Sequence, residues 1–385
     1  MNEFSWIFLI ALALMTGIEI WLSLRQRRHV LANRDEVPAA FREQIGLAAH
    51  QKAADYTVAK GAQMRRESWF GAIVLILWTL GGGLALLSGA WESLGWSAMT
   101  TGVVLILSFL VIGSLLELPL SWYRTFVMEE KFGFNRNTPA LFLGDFGKQM
   151  LLMLVLGAPI AWVTLWLMNS TGEFWWLYLW AAWMVFAVVM MWAYPAFIAP
   201  LFNKFTPLDD ANLKQKVENL LQRCGFKSQG IYVMDGSRRS GHGNAYFTGL
   251  GNNKRIVFFD TLLNTLNEDQ IEAVLAHELG HFRRKHVVKN MLMMAVMSLV
   301  GLALLGWAST QTWFYTGLGV ETQNNAIALI LFMLVIPVFS FFLHPLMTSM
   351  SRKYEFEADA YAASVSNADD LITALVALYK ENAST

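Results

Sequence analysis

One cysteine, Cys224, stands in 385 residues, which excludes an internal disulfide and a metal site built on paired thiolates. It reads as a small core residue. Charge is scarce as well. Asp, Glu, Lys and Arg make up 15% of the chain against 55% hydrophobic residues, the balance of a membrane protein and not of a soluble one. No excess of either sign remains, since 29 basic residues meet 29 acidic ones, so nothing draws nucleic acid. Low-complexity tracts and internal repeats are missing too.

What the chain does have is long apolar runs. Seven approach or exceed the ~20 residues that a helix needs to cross a bilayer core. They cover approximately 4–24, 68–90, 99–122, 150–168, 175–200, 291–310 and 326–348, the fourth being short. The first is not a cleavable signal. Glu3 stands where a basic flank belongs, no small-residue cleavage site is clear, and Arg25, Arg27 and Arg28 follow.

Another absence orients these spans. The connections 91–98, 169–174 and 311–325 hold no Lys or Arg, only Glu92, Glu173 and Glu321, and Glu3 lies in the N-terminal stub. All 29 basic residues fall in 25–67, 123–149, 201–290 and 349–385. Basic residues near span ends stay cytoplasmic. The expected topology therefore has the N-terminus outside, with 201–290 and the C-terminus in the cytoplasm.

Of the connections, 25–67 reads as a helical arm and 123–149 as a compact loop of both charge signs. Only 201–290 is able to fold as a globular unit. There 210–224 carries an apolar stripe at helical spacing, Leu213, Val217, Leu220 and Leu221. Residues 230–234 and 255–259 read as strands, with 244–249 as a third. Asn267 with Gln270 three residues on is a capping-box pattern, and Glu268 and Asp269 suit the positive end of a helix. That helix is expected to continue through Arg283-Arg284-Lys285 into the sixth span without a break.

The most informative stretch lies on it: His277-Glu278-Leu279-Gly280-His281. Histidines at i and i+4 share one helix face and can grip one zinc ion, with the glutamate between them as general base. Gly280 permits a close neighbour. The bland alternative, a solvated face with two surface histidines, fits the helical context less well. A catalytic zinc takes three protein ligands. The third is expected from 351–359, directly after the seventh span. Glu355 and Asp359 share a face at i and i+4, whereas Glu357 lies about 200° round from Glu355. Glu355 is assigned to zinc, Asp359 to a hydrogen bond that fixes the tautomer of a ligand histidine, and Glu357 to solvent. Glu19 and Glu117, near span ends, are read as structural; His344 is not needed as a ligand; His242 and His286 are read as structural or as supports of the site.

Several motifs in order now point one way: Thr125–Glu130 with Gly133-Phe134-Asn135, Pro200–Phe205, Asp235–Ser240, Asn244–Phe247, Arg255-Ile256-Val257 with Phe259–Leu262, the His277 helix with His286 and Asn290, and Ser351–Asp359. The chain resembles the membrane-embedded zinc metalloprotease family that includes the CAAX prenyl protease acting on farnesylated proteins. The resemblance implies an all-α polytopic fold of about seven transmembrane helices, a hollow helical barrel with zinc near its cytoplasmic face, and a small α+β metalloprotease domain. It also implies one Zn²⁺ per chain and a peptide or protein substrate, prenylated or membrane-bound. Such proteases hold the peptide as an added strand, and Asn244-Ala245-Tyr246 resembles that edge. Two departures stand out. Glu357 replaces a Gln common in the eukaryotic pattern. The further segment with a His-Pro and an Arg that such proteins usually carry does not appear before Thr385, so no oxyanion residue is assigned.

The expected organisation is thus 1–200 as five membrane helices with their loops, 201–290 as the metalloprotease domain, 291–350 as two more membrane helices, and 351–385 as the third-ligand helix with the C-terminal segment. The expected activity is an integral-membrane zinc endopeptidase of the CAAX prenyl protease kind. Two rivals are a quality-control protease with no prenyl requirement and a non-catalytic scaffold with a metal site. The intact His277, Glu278, His281 and Glu355 speak against the scaffold. An intramembrane-cleaving protease is excluded because both ligand segments lie outside the spans.

Overall fold

The computed structural model describes residues 1–226, 228–248 and 255–383. Lys227, Lys254, Gly249 at the end of the expected third strand, and Thr385 lie outside the described residues. The N-terminal part is built of α1 (Glu3–Ala32), α2 (Leu47–Trp78), α3 (Gly83–Glu92), α4 (Ala98–Tyr123), α5 (Pro139–Ser170) and α6 (Trp175–Ala193). Then follow α7 (Ala211–Arg223), α8 (Glu268–Arg283), α9 (His286–Ala308), α10 (Asn325–Ser340), α11 (His344–Val365) and α12 (Ala368–Asn382).

Among the described residues, six helical stretches are long and apolar enough to cross a membrane: Glu3–Ala32, Ala98–Phe132, Pro139–Ser170, Gly172–Phe202, His286–Ala308 and Asn325–Val365. A seventh forms if α2 and α3, bent by 47° at their break, count as one span. The seven apolar runs of the sequence map onto these. Side-chain caps set several starts: Asn2 accepts from Ser5, Ser97 from Thr100, Thr138 from Leu141 and Asn324 from Ile327. Small residues let the helices close up. A Cβ on Gly102 would meet Leu165 Cδ1 at 2.8 Å, and one on Gly306 would meet Trp176 at 2.7 Å. Phe8, Leu84, Leu105, Leu305, Tyr315, Ile327 and Leu331 fill the interior, while Trp6, Ile10, Leu86 and Val185 remain exposed on the outer face. That outer apolar face suits lipid. Between the helices lie cavities of ≈ 620 and ≈ 420 Å³, with Glu117, Ser121 and Arg124 in the walls of both. The protein is a polytopic helical barrel carrying a small sheet-containing unit.

That unit has a four-stranded sheet in the order β1-β2-β4-β3. Strand β2 (Ile231–Met234) runs parallel to β4 (Arg255–Phe259), and β3 (Ala245–Thr248) is antiparallel to β4. Strand β1 (Phe205–Pro207), antiparallel to β2, was not expected. Three residues ending in proline show no alternation, and a proline fits only at such an edge. The stripe of α7 packs with Ile256 and Phe258 of β4 and with Ile271, Leu275 and Leu279 of α8. Ala362 of α11 and Ala374 of α12 are buried in the same core.

The continuous helix expected from the motif into the sixth span is corrected. Helix α8 ends at Arg283, Lys285 takes a left-handed conformation (φ 57°, ψ 32°), and α9 restarts at His286. Arg, Arg and Lys favour helix and give no sign of the break.

Candidate active site

Helix α8 starts where the sequence marks it. Asn267 Oδ1 accepts the Gln270 N–H at 2.9 Å, and Gln270 Oε1 accepts the Asn267 N–H at 3.0 Å. The apolar stripe faces the sheet and leaves His277, Glu278 and His281 half-buried on the flank. Helix α11 lies against that flank because Gly280 has no side chain. A Cβ there would meet Ala358 Cα at 2.8 Å and Ala358 O at 2.9 Å. The contact sets Glu355, one turn earlier on α11, opposite the two histidines.

His277 Nε2 and His281 Nε2 are 3.3 Å apart, and Glu355 Oε2 lies 3.4 Å from the first and 3.7 Å from the second. These three residues form the one metal-capable group among the described residues, with their ligand atoms within 4.8 Å of one another. Asp359 Oδ1 is 2.8 Å from His277 Nδ1. His281 Nδ1 is 3.0 Å from His286 Nδ1, and His286 Nε2 is 3.0 Å from Glu357 Oε2.

The acceptors assign the protons. Asp359 takes the Nδ1 proton of His277, which leaves its Nε2 with a lone pair. Glu357 takes the Nε2 proton of His286, so His286 Nδ1 accepts from His281 Nδ1, and His281 Nε2 also bears a lone pair. Two lone pairs and a carboxylate oxygen then converge with no proton among them. Only a cation fits such a donor set, and an N₂O set with supported imidazoles is one that transition metals favour. Burial holds His281 below its usual value despite the pull of Glu355, which keeps the ring neutral and free to ligate. Burial likewise pushes the Glu278 carboxyl up from its usual value, against the effect of His277. A carboxylate so destabilised is a better proton acceptor.

The reading of Glu357 as a solvated charge is corrected. Besides His286 it has Lys289 at 3.7 Å and Lys353 at 4.0 Å. His286 is only 2% exposed and stacks on Tyr354 at 4.2 Å. A spacing of five from His281 does not bring two residues together on one helix. The turn at Lys285 does so, and no glycine or proline announces it.

Asn244, Ala245 and Tyr246 lie at the start of β3, the edge strand of the sheet. Asn244 O accepts the Phe259 N–H at 2.9 Å, and Asn244 Oδ1 accepts the Ala245 N–H at 2.8 Å. The Ala245 side chain is buried, and Tyr246 turns to the other face toward Phe259. The strand reaches the metal helix through Phe247, whose ring is 5.2 Å from Phe282, the residue after His281.

Fold and site together define a polytopic membrane protein with a His-Glu-x-x-His cluster able to hold a metal ion. Residues 26–204 match the family described as CAAX prenyl protease N-terminal, five membrane helices, and residues 207–385 match peptidase family M48. A CAAX prenyl protease 1 homolog of Arabidopsis thaliana is 39% identical over 269 residues, 70% of this chain and 63% of that protein. The chain thus spans less than two thirds of the length of that relative. A CAAX prenyl protease 1 homolog of Caenorhabditis elegans is 31% identical over 99% of this chain and 92% of its own length. The crystal structure of S. mikatae Ste24p superposes with a TM-score of 0.92 at 30% identity, covering 100% of this chain and 93% of that one. The chain belongs to peptidase family M48, the metallopeptidase family of these relatives.

Proposed function

We propose that this protein is an integral-membrane zinc endopeptidase with His277, His281 and Glu355 as ligands, Glu278 as general base, and Asp359 orienting His277. The observation that carries the reading is the convergence of two histidine Nε2 atoms and one carboxylate oxygen, all within 4.8 Å of one another, beside the half-buried Glu278. The donor set suits zinc, whose catalytic sites keep three protein ligands and one open position. Zinc, when bound, supplies Lewis acidity at that position. Glu278 takes the proton of the attacking water and gives it to the leaving amine. The peptide lies extended along the open edge of β3 at Asn244-Ala245-Tyr246.

The membrane helices of 1–200 and 291–350 hold the 201–290 unit and the 351–385 segment. The charge bias supports a cytoplasmic site and C-terminus, with the N-terminus outside. The names of the relatives speak of CAAX prenyl proteases. A prenylated, membrane-held CAAX-type peptide is the substrate we extend to this chain.

Metal analysis together with cleavage of a farnesylated and an unmodified CAAX-type peptide tests the reading. Glu278→Gln should retain the metal and lose ~10²–10⁴ in turnover. Cleavage at the wild-type rate by that variant would refute the mechanism, and equal cleavage of both peptides would refute the prenyl requirement.

A further inference from the structure

The two residues that lead toward the edge strand, His242 and Gly243, are gripped by the C-terminal helix. Gly243 N–H donates to Asn382 Oδ1 at 3.1 Å, and His242 Nδ1 faces the same oxygen at 3.4 Å. Asn382 is the last residue of α12, 139 positions away in sequence. The backbone donor on Gly243 requires the oxygen, and not the nitrogen, of the carboxamide at that place. Other contacts hold the same two residues. His242 O accepts the Thr261 hydroxyl at 3.0 Å. Its ring stacks on Phe134 at 4.5 Å and lies 3.4 Å from the Tyr56 hydroxyl, which donates to Glu129 at 2.8 Å. Gly243 passes hard against the chain at Leu262, where a Cβ would meet Leu262 Cα at 3.2 Å.

We propose that Asn382, gripping His242 and Gly243, is a positioning residue that fixes the peptide-binding edge of β3. The inference rests on the reading of β3 as that edge. With Phe259 N–H bonded to Asn244 O, Tyr246 opposite Val257 turns its backbone groups to β4, and those of Ala245 and Phe247 point to the open side. The Ala245 N–H is taken by Asn244 Oδ1. A peptide therefore finds the Ala245 carbonyl and both polar groups of Phe247. Strand pairing is exact to one residue, because a slip reverses every side chain. Holding the backbone two residues upstream fixes which groups are presented, and the C-terminal helix thereby bears on substrate binding without touching substrate.

The test uses the full chain in membranes and the farnesylated CAAX-type peptide. Asn382→Ala should raise KM roughly 3–10-fold, the value of one hydrogen bond, with kcat and metal content within about twofold. Asn382→Asp keeps an oxygen at the same place and should restore most of the KM. Asn382→Gln, which moves the oxygen by one methylene, is a milder second variant with the same expected rise should the alanine chain not fold. A substrate peptide N-methylated at the backbone amides flanking the scissile bond, which cannot donate to the edge carbonyls, probes the edge itself. If N-methylation raises KM and Asn382→Ala does not, the latch is wrong and the edge stands. If neither raises KM, the edge reading falls and the latch with it. Metal lost from Asn382→Ala, or no recovery in Asn382→Asp, marks a merely structural role and also overturns the proposal.

Discussion

Gly280→Ala is the sharpest test of how the site is assembled. The added Cβ would lie 2.8 Å from Ala358 Cα and 2.9 Å from Ala358 O, both backbone atoms that cannot rotate away. Carbon contacts settle near 3.5 Å, so α8 and α11 must part by roughly 0.7 Å. Overpacking of this kind costs about 1–3 kcal/mol. The better helix propensity of alanine offsets at most about 1 kcal/mol, and less near the end of α8, so a loss of roughly 1–2 kcal/mol in stability remains. Metal affinity is the better readout, because the parting moves Glu355 away from both histidines together. A loss on the order of tenfold or more is expected, the scale seen when the supports of a metal ligand are disturbed. Competition against a zinc-binding dye measures it, with thermal unfolding alongside. Ala358→Gly in the same chain should not rescue, since the closest contacts are to Cα and O and the Cβ–Cβ contact is the looser one at 3.2 Å. Wild-type metal affinity in Gly280→Ala would refute the argument that close helix approach sets the third ligand.

Further outcomes follow from the same geometry. One equivalent of zinc should co-purify and a chelator should abolish cleavage; Glu355→Ala should lose the metal, and full occupancy in that variant would disprove the ligand assignment. Lys285→Gly relieves a left-handed residue and should keep both stability and metal, whereas Lys285→Pro, whose ring fixes φ near −65°, should displace His286 and weaken metal binding about 10-fold or more; equal behaviour of the two in metal titration would count against the joint. A cysteine at Glu173 or Glu321 should react with an impermeant thiol reagent outside intact cells, and one at Lys353 should not. Outside labelling at position 353 would overturn the proposed orientation.

Much of this molecule is legible in its sequence where the signal is local. The apolar runs give the spans, the Asn267–Gln270 pair gives the start of α8, and the i, i+4 spacing gives the histidine pair. Glu355 is legible for a different reason: 291–348 read as a two-span hairpin, which returns the chain to the face it left. What stays hidden depends on backbone events without side-chain signatures or on long-range contacts. The turn at Lys285 is made by a residue that favours helix, so the seating of His286 on His281 and the pairing with Glu357, 71 positions on, could not be read. Strand β1 is three residues long and gains its identity only from β2. The grip of Asn382 on Gly243 joins chain segments that share no pattern.

The joint at Lys285 gives the two halves of the metal site unequal ties to the bilayer. His277 and His281 hang from α9 by one hinge, whose two dihedrals can take up a change in the slope of that span. Glu355 has no such freedom, since α10, the turn at Phe341–Leu343 and α11 run on as one 41-residue helical stretch from Asn325 to Val365. Spans tilt to match the thickness of the hydrocarbon layer. A tilt of α9 would be absorbed at Lys285, whereas a tilt of the α10–α11 span would carry α8 with it, because α11 is seated on α8 at Gly280 and Ala358 and shares its core; the three ligands would then move as one body.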